Sequence, residues 1–365
     1  MPPPTTRLAV RLEQARAAVG HAGLDVLVVF GAANLAYLTG LRMSAGALAL
    51  TRDRVFLVAD GRYADAAATV AELPHTSVAA LATGQSYEEG IVALAGSHGW
   101  ETVGLEAAHV SVARMAAIRR AAGESPDRRW VETEGVVEGL RVVKDPWEQG
   151  VLRDAGARLS AVAACILAKV SAGQTERQVA WTIEVALHAA GFERPAFETI
   201  VASGPLAARP HHRPTDRRLE KDELVLLDFG GVLDGYSVDL SRTIPLGTVD
   251  PASRRWLERV AAAQDAAIEA AAPGRLPSAV DAAARQILDD AGLGDHFVHG
   301  TGHGLGLEIH ERPTIGPRGD AFGALQPGMA FTVEPGVYVP GRGGVRIEDD
   351  VLITATGAER LTFDS

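Results

Sequence analysis

Four carboxylate residues lie in two β-hairpin patterns that share one internal arrangement. In the first pattern, Asp234 and Gly235 separate two β-rich runs and predict a type I′ turn, which needs positive φ at both central positions. With this turn, Asp239 lies opposite Gly230, and Asp228, two residues before that glycine, points to the same face. The two carboxylates become diagonal neighbours roughly 7–8 Å apart at the backbone, a separation that suits shared ions.

The second pattern repeats the first with a longer loop. If Val339 pairs with Val345, Glu348 lies opposite Gly336 and Glu334 shares its face. Buried like-charged pairs are destabilising without compensation, and divalent cations supply that compensation. The alternative is that these carboxylates are scattered strand-end residues on a solvated face. The repetition of the pattern favours the metal site.

Histidines between the two acidic hairpins add nitrogen ligands and proton donors. His303 lies in the glycine-rich segment GTGHGLGLEIHERP, where the backbone can approach a ligand closely, and we predict that it binds metal. Oxygen ligands with one imidazole favour Mn²⁺, with Co²⁺, Zn²⁺ or Fe²⁺ as alternatives. His211 and His310 are predicted to donate to substrate or to the reaction intermediate. His212 and His299 are left open between the site and a structural role.

An arginine and a tyrosine are expected beside the second acidic pair. The same pairing puts Arg346 opposite Tyr338, facing the side of the carboxylates. Arg346 either anchors a substrate carboxylate or supports proton transfer, or it forms a salt bridge that holds Glu348 or Glu334 in place. The sequence does not decide between these roles.

The elements that must position these residues follow from hydrophobic periodicity. An amphipathic helix is predicted over Thr5 to Gly20, and Ala-rich segments that we predict to be helical separate the strands that follow. These strands are Asp25 to Phe30, Arg54 to Asp60 and Thr102 to Glu106. Strands alternating with helices predict an α/β unit.

A polar, turn-rich stretch, Gly123 to Glu138, marks the domain boundary, so the predicted domains are residues 1–132 and 133–365. Asp145 is predicted to cap a long helix with Pro146 in its first turn. Cys165 falls in an apolar run of this helix and is predicted to pack in the core. The glycine-rich last third of the chain is predicted to form strands.

Composition excludes several classes of protein. The chain has 365 residues, 47% of them hydrophobic, and a net charge of −11. This composition predicts a folded protein with no nucleic-acid groove and no binding to an anionic membrane. No apolar run is long enough to span a bilayer, and the first residues lack a signal-peptide pattern, so a cytoplasmic location is expected.

The acidic and histidine blocks resemble the pita-bread metallopeptidases, the family of aminopeptidase P, Xaa-Pro dipeptidase (prolidase) and methionine aminopeptidase. The residues that match the five metal ligands of that family in order and type are Asp228, Asp239, His303, Glu334 and Glu348. The segment GAANLAYLTGLR is similar to the creatinase-type N-terminal domain. The resemblance implies an α+β protein, with a C-terminal pita-bread (creatinase/aminopeptidase) fold and a smaller α/β N-terminal domain.

The resemblance also implies a function. The N-terminal domain and the short interval from Glu334 to Glu348 resemble the proline-specific branch, which implies hydrolysis of Xaa-Pro bonds by two divalent metal ions in a homodimer. It implies that Glu334 shuttles a proton, that His211 and His310 contact substrate, and that Tyr338 and Arg346 line the site. We favour an Xaa-Pro dipeptidase. The alternatives are an aminopeptidase P acting on longer peptides, a hydrolase or lyase acting on a non-peptide small molecule, and a non-catalytic binding module.

Overall fold

The computed structural model describes residues 2–123 and 128–362. The chain divides into two compact units, Met1–Arg141 and Val142–Ser365. Four residues of the predicted boundary stretch, 124–127, lie outside the described residues. The division into residues 1–132 and 133–365 stays a prediction.

The first unit combines helices with one mixed sheet. Its helices are α1 (Thr5–His21), α2 (Ala32–Thr39), α3 (Ala64–Val70), α4 (Tyr87–His98), α5 (Val112–Ala122) and α6 (Glu138–Arg141). Its strands are β1 (Val26–Val29), β2 (Ala47–Leu50), β3 (Val55–Ala59), β4 (Thr76–Ala80), β5 (Thr102–Glu106) and β6 (Arg129–Thr133). The strand order is β4-β3-β2-β1-β5-β6, with β2 antiparallel to both of its neighbours.

The predicted α/β character of this unit is confirmed, together with the first helix and the three predicted strands. The Ala-rich segment Ala47–Leu50 is an exception, because it forms a strand and not a helix. All four of its residues are buried. Pairing with β1 and β3 in the interior of the sheet therefore outweighs the helical preference of alanine.

The second unit contains the two longest described helices and the acidic hairpins. Its helices are α7 (Pro146–Leu167), α8 (Glu176–Ala189), α9 (Pro251–Ala270) and α10 (Pro277–Asp290). Its strands are β7 (Arg194–Pro195), β8 (Ile200–Ser203), β9 (Leu224–Leu233), β10 (Tyr236–Pro245), β11 (Gly302–Gly304), β12 (Glu311–Ile315), β13 (Ala330–Val333), β14 (Gly336–Val339), β15 (Gly343–Arg346), β16 (Glu348–Ile353) and β17 (Ala358–Arg360).

The large sheet of this unit is antiparallel and runs β12-β11-β13-β16-β10-β9-β7, with β17 beside β16 and β8 beside β9. One apolar core packs α7 and α8 against β9 and β10, and another packs α9 and α10 against β13 and β16. Helices therefore cover much of the sheet. Because its acidic residues are largely withdrawn from water, they need polar partners within the unit. None of the helices in the described ranges combines the length and apolar character that a bilayer crossing requires.

The long helix α7 begins where the sequence predicts. The side chain of Asp145 accepts hydrogen bonds from the backbone N–H groups of Trp147 and Glu148, and Pro146 occupies the first turn. The prediction that Cys165 packs in the core is wrong, since its side chain is exposed. The buried stripe of α7 continues through Val162 and Ile166, and helical periodicity turns Cys165 away from it.

The first predicted hairpin register is confirmed. Asp234 and Gly235 have φ values of 49° and 88°, as a type I′ turn requires, and Asp239 lies opposite Gly230. A side chain on Gly230 would lie 2.2 Å from the carbonyl oxygen of Val238. Close packing within the hairpin therefore explains this glycine.

The second predicted register is wrong by two residues. Val339 pairs with Gly343, and Gly336 lies opposite Arg346, where Glu348 was expected. The chain turns within a tighter loop, in which the N–H of Arg342 donates to the carbonyl of Val339 at 3.0 Å. Because side chains alternate with a period of two, this slip changes the partner of each residue but not the face it occupies.

Candidate active site

Antiparallel pairing of β10 with its two neighbours collects acidic side chains on one face of the large sheet. Ser241 of β10 lies opposite Asp228 of β9 and opposite Glu348 of β16. Asp239 precedes Ser241 by two residues and therefore points to the same face. The Ser241 hydroxyl donates to Oε2 of Glu348 at 2.7 Å, which orients that carboxylate.

Glu334 and His303 come from the adjoining part of the sheet. Glu334 directly follows β13, and its N–H donates to the carbonyl oxygen of Thr301 at 2.7 Å. His303 lies in β11, where its Nε2 is 3.4 Å from Oε1 of Glu334. The Thr332 hydroxyl accepts a hydrogen bond from the backbone N–H of His303 at 3.1 Å and donates one to Oε1 of Glu334 at 3.3 Å. One threonine therefore contacts both the backbone of His303 and the side chain of Glu334.

Two glycines allow His303 to occupy this position. A side chain on Gly302 would come within 1.9 Å of the Thr332 carbonyl oxygen, and one on Gly304 within 2.2 Å of the Arg312 carbonyl oxygen. The glycines beside His303 were expected to let a ligand approach the backbone. They instead let the neighbouring strands approach it, which seats β11 between β12 and β13.

The predicted metal ligands come together in one cavity. Ligand atoms of Asp239, His303 and Glu348 lie within 4.8 Å of one another. Asp228 and Glu334 line the same cavity, which has a volume of about 680 Å³. The fold thus brings all five residues to one place, although their roles as ligands stay predictions.

The predicted catalytic histidines also lie at this cavity. His211 and His310 both line it, and both are exposed. The ring of His310 is 4.3 Å from the ring of His303, centroid to centroid. The two histidines left open, His212 and His299, also line the cavity, but buried His212 has its Nε2 2.9 Å from the carboxylate of Glu176. This contact supports a structural role for His212.

The protonation equilibria of the cluster reflect its burial. Burial, followed by repulsion from neighbouring carboxylates, raises the pKa of Asp239 and of Glu348 well above the usual range. Burial also raises the pKa of Glu334 to about 7 and lowers the pKa of His303 to about 4. Several ionised carboxylates are therefore stable here only with positive charge among them.

Unpaired oxygen atoms at the cluster fit a cation. Among the described residues, Oδ1 of Asp228, Oε1 of Glu348 and Oδ1 of Asp350 are buried and have no hydrogen-bond partner. Such orphaned acceptors are costly in a protein interior unless they bind a cation or a proton. Carboxylate oxygens with one imidazole form a donor set that suits hard and borderline divalent metals.

Arg346 contacts a different carboxylate from those expected. The sequence named Glu348 or Glu334 as salt-bridge partners, but the guanidinium forms its ion pair with Asp228. It also donates to the Ser241 hydroxyl at 3.0 Å and to the Tyr338 hydroxyl at 2.8 Å. The two-residue shift of the hairpin register places Arg346 opposite Gly336. A Cβ atom at position 336 would lie 2.6 Å from the Tyr338 hydroxyl, so glycine leaves room for that hydroxyl.

Three polar residues of the site were not singled out from the sequence. Ser241 contacts both Glu348 and Arg346, Thr332 contacts Glu334, and Asp350 accepts from the Asp239 N–H at 2.8 Å. Ser241 and Asp350 each lie two residues from a predicted ligand in the same strand, and Thr332 lies two residues before Glu334, which directly follows β13. The period of two that located the carboxylates would therefore also have located these residues.

Comparison with known proteins agrees with this geometry. The metallopeptidase family M24 matches residues 150–355, and the creatinase/prolidase N-terminal domain matches residues 11–143. The chain belongs to metallopeptidase family M24. Its second unit therefore has the predicted pita-bread fold, its first unit is the creatinase-like domain, and the protein is a peptidase. Membership of this metallopeptidase family implies divalent metal ions.

Individual members are similar over much or all of the chain. The Xaa-Pro dipeptidase of Pyrococcus furiosus is 40% identical over 235 residues, which cover 64% of this chain and 67% of that protein. The probable dipeptidase PepE of Mycobacterium tuberculosis is 38% identical over 364 residues, which cover 96% and 93%. The solved structure of an Xaa-Pro dipeptidase from Bacillus anthracis has a TM-score of 0.91 at 31% identity, covering 97% of both chains.

Proposed function

We propose that this M24 peptidase is an Xaa-Pro dipeptidase that works with two divalent metal ions. The observation that carries the proposal is the convergence of Asp239, His303 and Glu348 within 4.8 Å, in a cavity also lined by Asp228 and Glu334. The names of the similar dipeptidases support the choice of substrate.

The five residues divide into two ligand sets in this proposal. Asp239 and Glu348 would help to hold both ions, Asp228 would help to hold one, and His303 with Glu334 would help to hold the other. We favour Mn²⁺, with Co²⁺, Zn²⁺ or Fe²⁺ as alternatives. Bound at these residues, the ions would supply a nucleophile from water at neutral pH and polarise the scissile carbonyl.

The protein's own side chains manage the protons. Glu334 is held by Thr332 at the edge of the cluster and is proposed to accept a proton and return it. His211 and His310, exposed at the cavity, are proposed to stabilise the developing oxyanion or to protonate the leaving nitrogen. That nitrogen belongs to a secondary amine when the bond precedes proline, so it must gain a proton to leave.

Proline in the substrate has a physical consequence for recognition. An Xaa-Pro amide has no N–H, so a site that depends on extended backbone pairing binds it poorly. A site that positions the carbonyl with metals and side chains does not need that donor. The M24 cavity is of this second kind in our proposal.

Tyr338 and Arg346 are proposed to act mainly on the ligands. Arg346 is 4% exposed and forms an ion pair with Asp228. The Tyr338 hydroxyl accepts a hydrogen bond from the same guanidinium and lies 2.9 Å from Nε2 of His299. We therefore propose that Arg346 orients Asp228, rather than anchoring substrate. A homodimer and a cytoplasmic location belong to the proposal as well, and light scattering in solution tests the first.

The function is tested with three substrates on protein loaded with Mn²⁺ or Co²⁺. We expect cleavage of Ala-Pro, with little cleavage of Ala-Pro-Ala or Ala-Ala. Preference for Ala-Pro-Ala would instead indicate an aminopeptidase P. Absence of cleavage in protein that binds both ions would contradict the peptidase proposal and favour a non-peptide substrate or a binding role.

A further inference from the structure

A buried ion pair lies next to the loop that ends at His310. Nζ of Lys144 is 3.0 Å from Oε2 of Glu311, and the two side chains are 1% and 5% exposed. Glu311 directly follows His310, whereas Lys144 directly precedes Asp145, the cap of α7. The ion pair therefore joins the start of the long helix to this loop, across a separation of 167 residues in the sequence.

The carboxylate of Glu311 also closes the loop, which we call the cavity loop and define as residues 305–310. Oε1 of Glu311 accepts a hydrogen bond from the backbone N–H of Glu308 at 3.0 Å. A Cβ atom on Gly306 would lie 2.9 Å from both oxygens of the carboxylate. The cavity loop is therefore folded closely around the Glu311 side chain, and Lys144 contacts the other carboxylate oxygen.

The backbone of Lys144 gives this ion pair a fixed base. Its N–H donates to the carbonyl oxygen of Gly328 at 2.8 Å. Its carbonyl oxygen accepts from the side-chain amide of Gln149, in the first turns of α7, at 2.8 Å. Hydrogen bonds from two other segments therefore hold the point from which the ammonium group extends.

The two ends of the cavity loop are held by different contacts. Near its start, the N–H of Ser237 donates to the carbonyl oxygen of Gly306 at 2.7 Å. At its end, the exposed ring of His310 lies 4.3 Å from the ring of His303, centroid to centroid. An exposed side chain has little packing to place it, so the position of His310 depends on the backbone that Glu311 fixes.

Stability alone does not explain a buried ion pair of this kind. Removing two charges from water costs about as much as their attraction returns, so apolar residues of similar volume often stabilise a fold equally well. Such a pair does fix geometry, because the two charged groups hold each other at hydrogen-bond distance. Building on the proposed function, we propose that Lys144 and Glu311 are positioning residues that hold His310 where its proton transfer or oxyanion contact requires it. A displacement of about 1 Å in such a group can cost about 100-fold in rate.

The first test measures kcat and KM for Ala-Pro in the full-length, metal-loaded protein. Lys144→Met/Glu311→Gln removes both charges together and keeps side chains of similar length. We expect kcat to fall about 10- to 100-fold, with KM changed by less than about twofold and metal content unchanged. Leu187→Ala is the control for destabilisation, since Leu187 is fully buried in the apolar core of α7 and α8. It should lower the melting temperature and leave kcat unchanged well below that temperature.

The second test asks whether the ion pair acts through His310. His310→Ala is expected to lower kcat about 100-fold. Adding Lys144→Met/Glu311→Gln to His310→Ala should lower kcat by less than about twofold further, because the group that is positioned is already gone. If the double variant does not fold, Glu311→Asp serves in its place, since it keeps the charge and shortens the side chain by one methylene group.

A third measurement does not depend on activity. Amide hydrogen exchange across the cavity loop should be at least about 10-fold faster in Lys144→Met/Glu311→Gln than in the unaltered protein. Exchange across β9 should stay the same, because neither residue contacts the loop through that strand. Faster exchange confined to the cavity loop would support the role of the ion pair as its anchor.

Several results would overturn the inference. Equal losses of kcat with and without His310 would show that the ion pair acts elsewhere. Loss of a metal ion, or a raised KM with unchanged kcat, would assign the pair to metal or substrate binding. Unchanged kcat with unchanged exchange would leave a purely structural ion pair. If the unaltered protein cleaves no Ala-Pro, the proposed function fails and the catalytic part of this inference fails with it, while exchange in the cavity loop still decides whether the pair anchors that loop.

Discussion

Each of the two units contains a cluster of two carboxylates and one imidazole, and the two clusters differ in how their oxygens are satisfied. The N-terminal cluster consists of Glu106, His109 and Glu138. Oε2 of Glu106 accepts from the N–H groups of Phe30 and Gly31 at 2.7 and 2.8 Å. The Asn34 amide donates to both Glu106 and Glu138 at 2.7 Å, and His109 is 3.2 Å from Glu138.

The C-terminal cluster consists of Asp239, His303 and Glu348. Its strands supply few donors to the carboxylates, and within the described residues Glu348 keeps an unpaired buried oxygen, as does neighbouring Asp228. The same residue types at similar separations therefore serve different purposes. A cluster whose acceptors meet N–H donors stabilises the fold, while one whose acceptors stay open is prepared for a cation.

The largest expected effect comes from the C-terminal cluster. Asp239→Asn keeps an oxygen for the N–H of Leu240, which donates to Asp239 at 2.8 Å, but removes the charge. We expect loss of at least one bound metal ion and a fall in kcat/KM on the order of 1,000-fold. Elemental analysis and Ala-Pro hydrolysis measure these effects. Two ions retained at full affinity would contradict the assignment of Asp239.

The matching change in the N-terminal cluster should affect folding instead. Glu106→Ala leaves the N–H groups of Phe30 and Gly31 without their buried acceptor, and the Asn34 amide keeps only its hydrogen bond to Glu138. We expect a loss of about 3 kcal/mol in the free energy of unfolding, measured by urea denaturation, with unchanged metal content. Loss of a metal ion in this variant would erase the distinction between the two clusters.

A smaller effect is expected from the residue that orients a ligand of the C-terminal cluster. Arg346→Lys keeps the charge but cannot contact Asp228, Ser241 and Tyr338 together. We expect metal affinity to fall about 10- to 100-fold, read from titration calorimetry. An unchanged metal affinity combined with a raised KM for Ala-Pro would favour the alternative role of Arg346 as a substrate anchor.

The smallest effect concerns a histidine near the C-terminal cluster. Burial lowers the pKa of His299 from 6.5 to about 4, so the unfolded chain binds a proton more readily than the folded protein does. The contribution of neutral His299 to the free energy of unfolding is complete above pH 6.5, and it is lost as the pH falls towards 4. The free energy of unfolding should therefore fall as the pH is lowered from about 7 to 5. Because glutamine does not titrate, this fall should be about 2 kcal/mol smaller in His299→Gln than in the unaltered protein. Parallel stability profiles of the two proteins would contradict this expectation.

The sequence alone determined much of this protein, because the signals are local. The Asp234–Gly235 turn sets the register that puts Asp228 and Asp239 on one face, and alternation along the strands preserves the face of Glu334 and Glu348. Caps and apolar periodicity likewise determined the start of α7 and the three strands predicted in the first unit.

Only the tertiary structure decided which groups meet across elements. The partner of Arg346 depends on the register of the second hairpin. Its loop allows two registers that differ by two residues and keep every side chain on the same face, so the sequence pattern could not identify Asp228 as the partner. The pairing of Ala47–Leu50 and the exposure of Cys165 depend on which neighbours cover each element. Hydrogen-bond satisfaction, which separates the two carboxylate clusters, is a property of several segments at once, and no single stretch of sequence contains it.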